Sequence, residues 1–251
     1  MDQPNYQQHI QDHTREAIRE RLQEGYRHSY LRDVIYGAID GAVTTFAIVC
    51  GAAGAQLSAG VIVVLGIVNL LADGFSMGVS NFLGTRAEQQ VRQHVRKTEE
   101  RHIRMYPDGE REEIRQIFAA KGFSGTELEH IVDVITSDHD RWVDTMMVEE
   151  LGMPLAGGSP WKAGAATFIA FVVVGFIPIL FYVADVILPG DLQHPLFWSV
   201  VLTGAAFFIV GAAKSRFIME SWWRAGLETL AIGGVAALIA YAVGVWLGGL
   251  V

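Results

Sequence analysis

The chain has 251 residues, 51% of them hydrophobic, with 19 Lys and Arg against 27 Asp and Glu for a net charge of −8; its mean hydropathy is +0.29. So apolar a balance, with the charges clustered rather than spread, excludes an average soluble domain, and the acidic net charge argues against nucleic acid as a partner. One cysteine, Cys50, excludes an intrachain disulfide and a cysteine-built zinc site; within an apolar run it reads as a small buried residue.

Residues 1–32 form a polar leader, predicted to be helical and cytosolic, without the short apolar core of a cleavable signal. His9, His13, Glu16 and Glu20 recur along it at helical steps; a solvated face accounts for them, with metal binding as the rival reading. The run 33–55 is the first of five predicted membrane spans. It carries Tyr36, Asp40 and Thr44 four residues apart, hence on one face of a helix, and Gly37, Gly41 and Gly51 as small surfaces for close packing. A short loop at 54–58 makes the second span, 59–83, its antiparallel neighbour. There Asn69, Asp73 and Met77 repeat the four-residue step, a second polar stripe to match the first.

The pattern changes abruptly after Leu83. Residues 84–105 are charged and free of proline, and are expected to continue the second span as one long helix. Pro107-Asp108-Gly109 reads as a turn, 110–121 as a short helix stopped by Gly122, and Thr126-Glu-Leu-Glu129 as a capping box opening the next. A last short helix, 138–151, ends at Gly152 with Pro154 beyond. This segment, 84–160, is expected to be too small for much of a core of its own. Residues 161–251 hold the remaining spans, at 163–187 with a kink at Pro178, 196–213 and 227–251. Asp185 and Glu228 read as interfacial charges.

Basic residues set the predicted topology. Five Lys or Arg lie in the leader, eleven in 84–162 and three in 214–224, while the loops 54–58 and 188–195 hold none. The expected arrangement has the amino terminus and the acidic segment inside and the carboxyl terminus outside. The predicted fold is therefore an all-α membrane protein of five transmembrane helices, with a small cytosolic helical metal-binding segment between helices two and three.

Asp40 and Asp73 carry the chemistry. A carboxylate deep in a span costs about 2.5–3.5 kcal/mol on insertion scales and is by default a functional group. No Lys or Arg within any span neutralises either one, so they must face each other, face water or bind something positive. A thioether one turn from Asp73 points to a softer transition metal, although helix–helix adhesion through a protonated Asp is the plainer reading. In the acidic segment Glu99, Glu100, His102, Glu110, Glu112, Glu113, Glu149 and Glu150 offer oxygen and imidazole donors beside Met146-Met147. Charge runs are usually solvated faces and methionines usually core filler; together they also suit ferrous iron or manganese. Glu99-x-x-His102 and Glu127-x-x-His130 have the spacing used by di-iron carboxylate bundles, which keeps a membrane-anchored oxidase or iron-storage protein open as an alternative. A metal sensor whose spans only anchor it is a third.

Three motifs in order resemble the vacuolar iron transporter family: Asp33-Val-Ile-Tyr-Gly-Ala-Ile-Asp40-Gly, Ala72-Asp-Gly-Phe-Ser-Met77-Gly, and Trp142-Val-Asp-Thr-Met146-Met147-Val-Glu-Glu150-Leu-Gly. The resemblance covers nearly everything from residue 30 onward. It implies a transporter rather than an enzyme, acting as a homodimer, that moves Fe²⁺ and, as a second ion, Mn²⁺ out of the cytosol in exchange for protons. It implies no tightly bound cofactor, the metals being transported and regulatory ions. Asp40 and Met77 would line the translocation path, with Thr44, Asn69 and Asp73 on the same faces and Asp33 near the inner entrance. Glu110, Glu113, Met146, Met147 and Glu150 align with metal ligands; Glu99 and His102 complete the expected set, His102 standing where a further glutamate is the rule. Asn69 stands in place of a membrane glutamate, and Asp73 in place of a small residue one turn away. The expected location is a bacterial plasma membrane, with a vacuolar membrane as the other setting.

Overall fold

The computed structural model describes residue 10 and residues 13–24, 29–188, 194–216 and 220–250; His9 of the leader lies outside them. Every regular element among the described residues is a helix. A leader helix, α1 (Arg15–Glu24), precedes the first span, α2 (Leu31–Gly54). His13, Glu16 and Glu20 are exposed. The second span begins α3 (Ala59–Met105), which runs unbroken for 47 residues, about 70 Å at 1.5 Å per residue. Its last 22 residues project past the apolar stretch, as the absence of Pro from 84–105 allows.

Three short helices follow: α4 (Pro107–Ala120), α5 (Gly125–Thr136) and α6 (His139–Glu149). Two sequence expectations are corrected here. Pro107-Asp108-Gly109 is the first turn of α4, not a separate turn, and Tyr106 alone reverses the chain. Proline suits this first position because its missing N–H would have had no helical acceptor. The capping box at Thr126 does not form: Ser124 precedes α5 without a side-chain bond, and the Glu129 carboxylate accepts from Arg115 Nε at 2.7 Å and Nη2 at 3.0 Å instead. At α6 the expected cap is present, Asp138 accepting from the Arg141 backbone N–H at 2.8 Å. The segment also has more of a core than its length suggested, with Ile103, Ile114, Val132, Trp142, Val143, Met146 and Met147 buried together.

Span three is broken where Pro178 predicts. Helix α7 (Pro160–Gly175) gives way to a tight 3₁₀ turn at Ile177–Ile179 before α8 (Leu180–Ile187). Spans four and five are α9 (Pro195–Lys214) and α10 (Trp222–Gly248), joined near their ends by Lys214 and Glu228 at 3.1 Å. Among the described residues five helices are long and apolar enough to cross a membrane.

The bundle is organised round span one. Gly37 and Gly41 lie against the backbone of Thr167 and Phe171 in span three, and Gly51 and Gly54 against span five at Ala240 and Tyr241. With no side chain at these four positions the helix axes approach closely, so dispersion and backbone contacts replace the hydrophobic drive that lipid does not supply. Half of span one is buried as a result, against 22% of span two. Span two buries a seam of Ile62, Gly66, Leu70, Gly74 and Gly78, its glycines against Ile179, Phe171 and Phe168, and leaves Val64, Val68, Leu71 and Phe75 exposed.

Candidate metal sites

Two places bring chemistry-bearing side chains together. The first lies between spans one and two, where the polar stripes meet in antiparallel register. Asn69 Nδ2 donates to Thr44 Oγ1 at 3.4 Å and to Thr45 Oγ1 at 3.3 Å. Thr44 in turn donates to the Asp40 carbonyl at 2.8 Å. One turn along, Asp73 lies close enough to Asp40 for the two charges to interact. Further on, Asn81 Nδ2 donates to Asp33 Oδ1 at 2.9 Å. The order Thr44, Asp40, Asp33 on one helix therefore faces Asn69, Asp73, Asn81 on the other.

Exposure differs along this seam. Asp33, Asp40, Thr44, Asn69 and Met77 are half-buried, whereas Asp73 opens to the outer face of the bundle. Neither the Asp40 nor the Asp73 carboxylate has a hydrogen bond or ion pair among the described residues, and no Lys or Arg lies between Asp33 and Thr85. At the end nearest the acidic segment the seam widens into a cleft lined by Asp33, Tyr36, Met77, Ser80, Asn81 and Glu88, among others. Asn81 is the residue that sequence reasoning passed over. Its signal was present: it continues the stripe Asn69, Asp73, Met77 by one further turn.

The second place is the acidic segment. Because Tyr106 turns the chain back so sharply, the start of α4 folds against the end of α3 and buries Glu110 (8% exposed) beside Glu99 (4% exposed). His102 Nδ1 stands 3.9 Å from Glu99 Oε2 and 3.8 Å from Glu110 Oε1. Burial, together with the facing Glu99 carboxyl, pushes Glu110 up to about 7. Glu99 is raised as well, by burial first and then by Glu150 and Glu113. Glu113 and Glu150 lie exposed at the rim, and burial of part of each carboxyl, with the neighbouring acids, raises both. Glu99 Oε1 and Glu110 Oε2 are buried without a hydrogen-bond partner, an expensive state for a carboxyl oxygen and one that a bound cation would relieve. In this conformation no three His, Cys, Asp or Glu side chains among the described residues form a ready coordination shell. A shell closed on these residues would need Glu113 and Glu150 turned inward from the rim and deprotonated carboxyls at Glu99 and Glu110.

The remaining expected donors are placed differently. Met146 and Met147 are 0% and 3% exposed in the apolar core of the segment. The Met146 carbonyl accepts the Glu150 N–H at 3.0 Å, so α6 ends directly beneath the carboxylate cluster. Glu127 and His130 are exposed on α5, and His130 lines a separate depression with Glu129 and Asp133; among the described residues nothing brings them to Glu99. Arg96 ties the segment together, meeting Asp140 at 2.9 Å, Glu100 at 3.4 Å and Asp144.

Among the described residues, five apolar helices, with uncompensated carboxylates in two of them and a carboxylate cluster on the projecting end of one, define a polytopic membrane protein. Comparison with known proteins names the family. A model described as the VIT family matches residues 31–245. The chain is 32% identical over 212 residues to a protein named vacuolar iron transporter from Toxoplasma gondii, covering 82% of this chain and 70% of that one. It is 32% identical over 205 residues to vacuolar iron transporter 1 from Arabidopsis thaliana, covering 80% of each. A vacuolar iron transporter from Plasmodium falciparum is 30% identical over 213 residues, 82% and 78% of the two chains. The chain belongs to the VIT family, a family of iron transporters rather than enzymes.

Proposed function

We propose that this protein moves Fe²⁺, and Mn²⁺ as a second substrate, from the cytosol to the far side of its membrane in exchange for protons. The observation that carries the reading is the register of spans one and two, which pairs Asp40 with Asp73 and leaves both carboxylates without a cation of the protein's own. Metal collects at Glu99, His102, Glu110, Glu113 and Glu150, with the Met146 and Met147 thioethers as softer donors beneath, and displaces the proton held by Glu110. It then enters the cleft at Asp33 and passes Met77, Asp73 and Asp40, with Thr44 and Asn69 completing the polar seam. Protons arriving from the far side neutralise the membrane carboxylates and release the ion, since a carboxyl holding a proton holds a divalent cation poorly.

The active form in this proposal is a homodimer. Asp73 faces outward in the middle of a span whose neighbouring surface is apolar, and a carboxylate facing lipid there is costly; a second copy packed on span two would enclose it. In this proposal the amino terminus and the acidic segment lie in the cytosol and the carboxyl terminus outside, a reading supported by the distribution of basic residues. We place it in a bacterial plasma membrane; relatives named for the vacuole make an organelle membrane the other setting to be tested. The test is uptake of Fe²⁺ under anaerobic conditions into sealed vesicles. Wild type is expected to transport and Asp40→Ala to be inert. Undiminished transport by Asp40→Ala would end this mechanism.

A further inference from the structure

At the inner end of the seam, in the cleft, a side chain of span two bonds to both span one and span three. Asn81 Nδ2, on span two, lies 2.9 Å from Asp33 Oδ1 on span one, 2.7 Å from Thr167 Oγ1 and 3.2 Å from the Ala163 carbonyl on span three. The identity of that atom is fixed by its neighbours. A carboxylate and a carbonyl only accept, and Thr167 spends its own proton on the Ala163 carbonyl at 3.0 Å, with the Asp33 carbonyl at 3.5 Å as a weaker second acceptor; the atom facing them is therefore the amino group of the amide, its two hydrogens shared among the three acceptors. The amide oxygen must then turn the other way. It has no hydrogen-bond partner among the described residues, and Asn81 lines the cleft together with Met77, one turn away.

Two consequences follow for Asp33. One of its carboxylate oxygens is tied down, so the group is ordered before any ion arrives, while the other oxygen has no hydrogen bond of its own among the described residues. The holding group is also neutral. A Lys or Arg at position 81 would order Asp33 equally well but cancel the charge that attracts a cation; an amide keeps it. We infer that Asn81 is a positioning residue for a divalent cation entering at Asp33, anchoring that carboxylate to span three. This rests on the reading of Asp33 as part of the translocation path.

The experiment measures initial Mn²⁺ flux against concentration for the full-length protein in sealed vesicles, with each variant normalised to folded protein. Asn81→Ala is expected to raise KM about tenfold, the scale of one lost hydrogen bond to a charged group, and to leave the maximal rate within about twofold. Thr167→Val, which keeps the side-chain volume, removes the hydroxyl that accepts from Asn81 together with its own 3.5 Å contact to the Asp33 carbonyl and leaves the Ala163 carbonyl in place; it is expected to raise KM by a smaller factor. Asp33→Ala is expected to raise KM, and the double variant Asp33→Ala with Asn81→Ala to be no worse than Asp33→Ala alone, because the amide then has nothing to position. A KM that rises further in the double variant assigns Asn81 to helix packing alone and overturns the inference, as does a wild-type KM in Asn81→Ala. Should Asn81→Ala fail to fold, an unchanged KM in Thr167→Val overturns it equally. Wild-type kinetics in Asp33→Ala would remove Asp33 from the path and this role with it.

Discussion

Replacing Glu110 with glutamine should stabilise the metal-free acidic segment while removing its affinity for metal. Glu110 is pushed from an ordinary 4.5 up to about 7, by burial and by the facing Glu99 carboxyl. The folded segment therefore holds this proton to higher pH than the unfolded chain does. Nothing is lost below pH 4.5; stability falls as pH rises through the window from 4.5 to 7, and the cost is complete above it. At about 1.4 kcal/mol per tenfold change in proton affinity the full cost is about 3 kcal/mol. Water at the rim, where His102, Glu113 and Glu150 are exposed, reduces this to about 1–2 kcal/mol. Glu110→Gln should thus gain about 1–2 kcal/mol at pH 8 and nothing at pH 4.5. Amide hydrogen exchange of α4 and α5 in the full-length protein reads this local stability, with and without Mn²⁺. Wild type should be protected further by metal at pH 8 and progressively less as pH falls below 7; the variant should show no metal protection. A variant less stable than wild type at pH 8 without metal, or one that metal still protects, would refute the account of a strained carboxylate pair.

Other changes test other parts of the structure. Glu113→Ala, at the rim of the cluster, should weaken metal capture and raise KM in flux assays with the maximal rate nearly kept, in contrast to the inert Asp40→Ala. Gly41→Ala would set a methyl group 2.9 Å from the Phe171 carbonyl carbon, forcing spans one and three apart; the expected cost is about 1–3 kcal/mol, seen as a lower unfolding temperature in detergent. Arg96→Met removes the links from α3 to Asp140 and Asp144. Those carboxylates are partly solvated, so about 1 kcal/mol is expected, read as faster exchange in α6 with α7 unchanged.

The membrane half of the fold was legible because each feature rests on local chemistry. Apolar run length gave the spans, a five-residue loop gave the antiparallel pair, and the repeats Tyr36-Asp40-Thr44 and Asn69-Asp73-Met77 gave the faces that meet. What pairwise spacing does not reveal is which side of a helix its neighbours leave uncovered. Asp73 shares a stripe with Asn69 and Met77, yet it alone opens outward, because the glycine seam at Gly66, Gly74 and Gly78 turns span two edge-on to span three. Glu99 and Glu110 looked like part of a solvated charge run. Their burial depends on a reversal at the single residue Tyr106, which a turn assigned to Pro107-Asp108-Gly109 would have displaced by a few residues. Thr126 failed as a cap for a similar reason: Glu129, which should have completed the box, has a stronger partner in Arg115 on another helix. Asn81 was readable as the next step of the stripe, but nothing in the sequence shows that three spans converge on it.

Proton-coupled metal movement is the central claim, and simultaneous recording of both ions tests it most directly. Purified protein in sealed vesicles, with Fe²⁺ outside under anaerobic conditions and a pH dye inside, should show metal entry matched by proton exit, and neither in Asp40→Ala vesicles. Metal entry with no proton movement would contradict exchange, and tight metal binding with no entry would contradict transport itself.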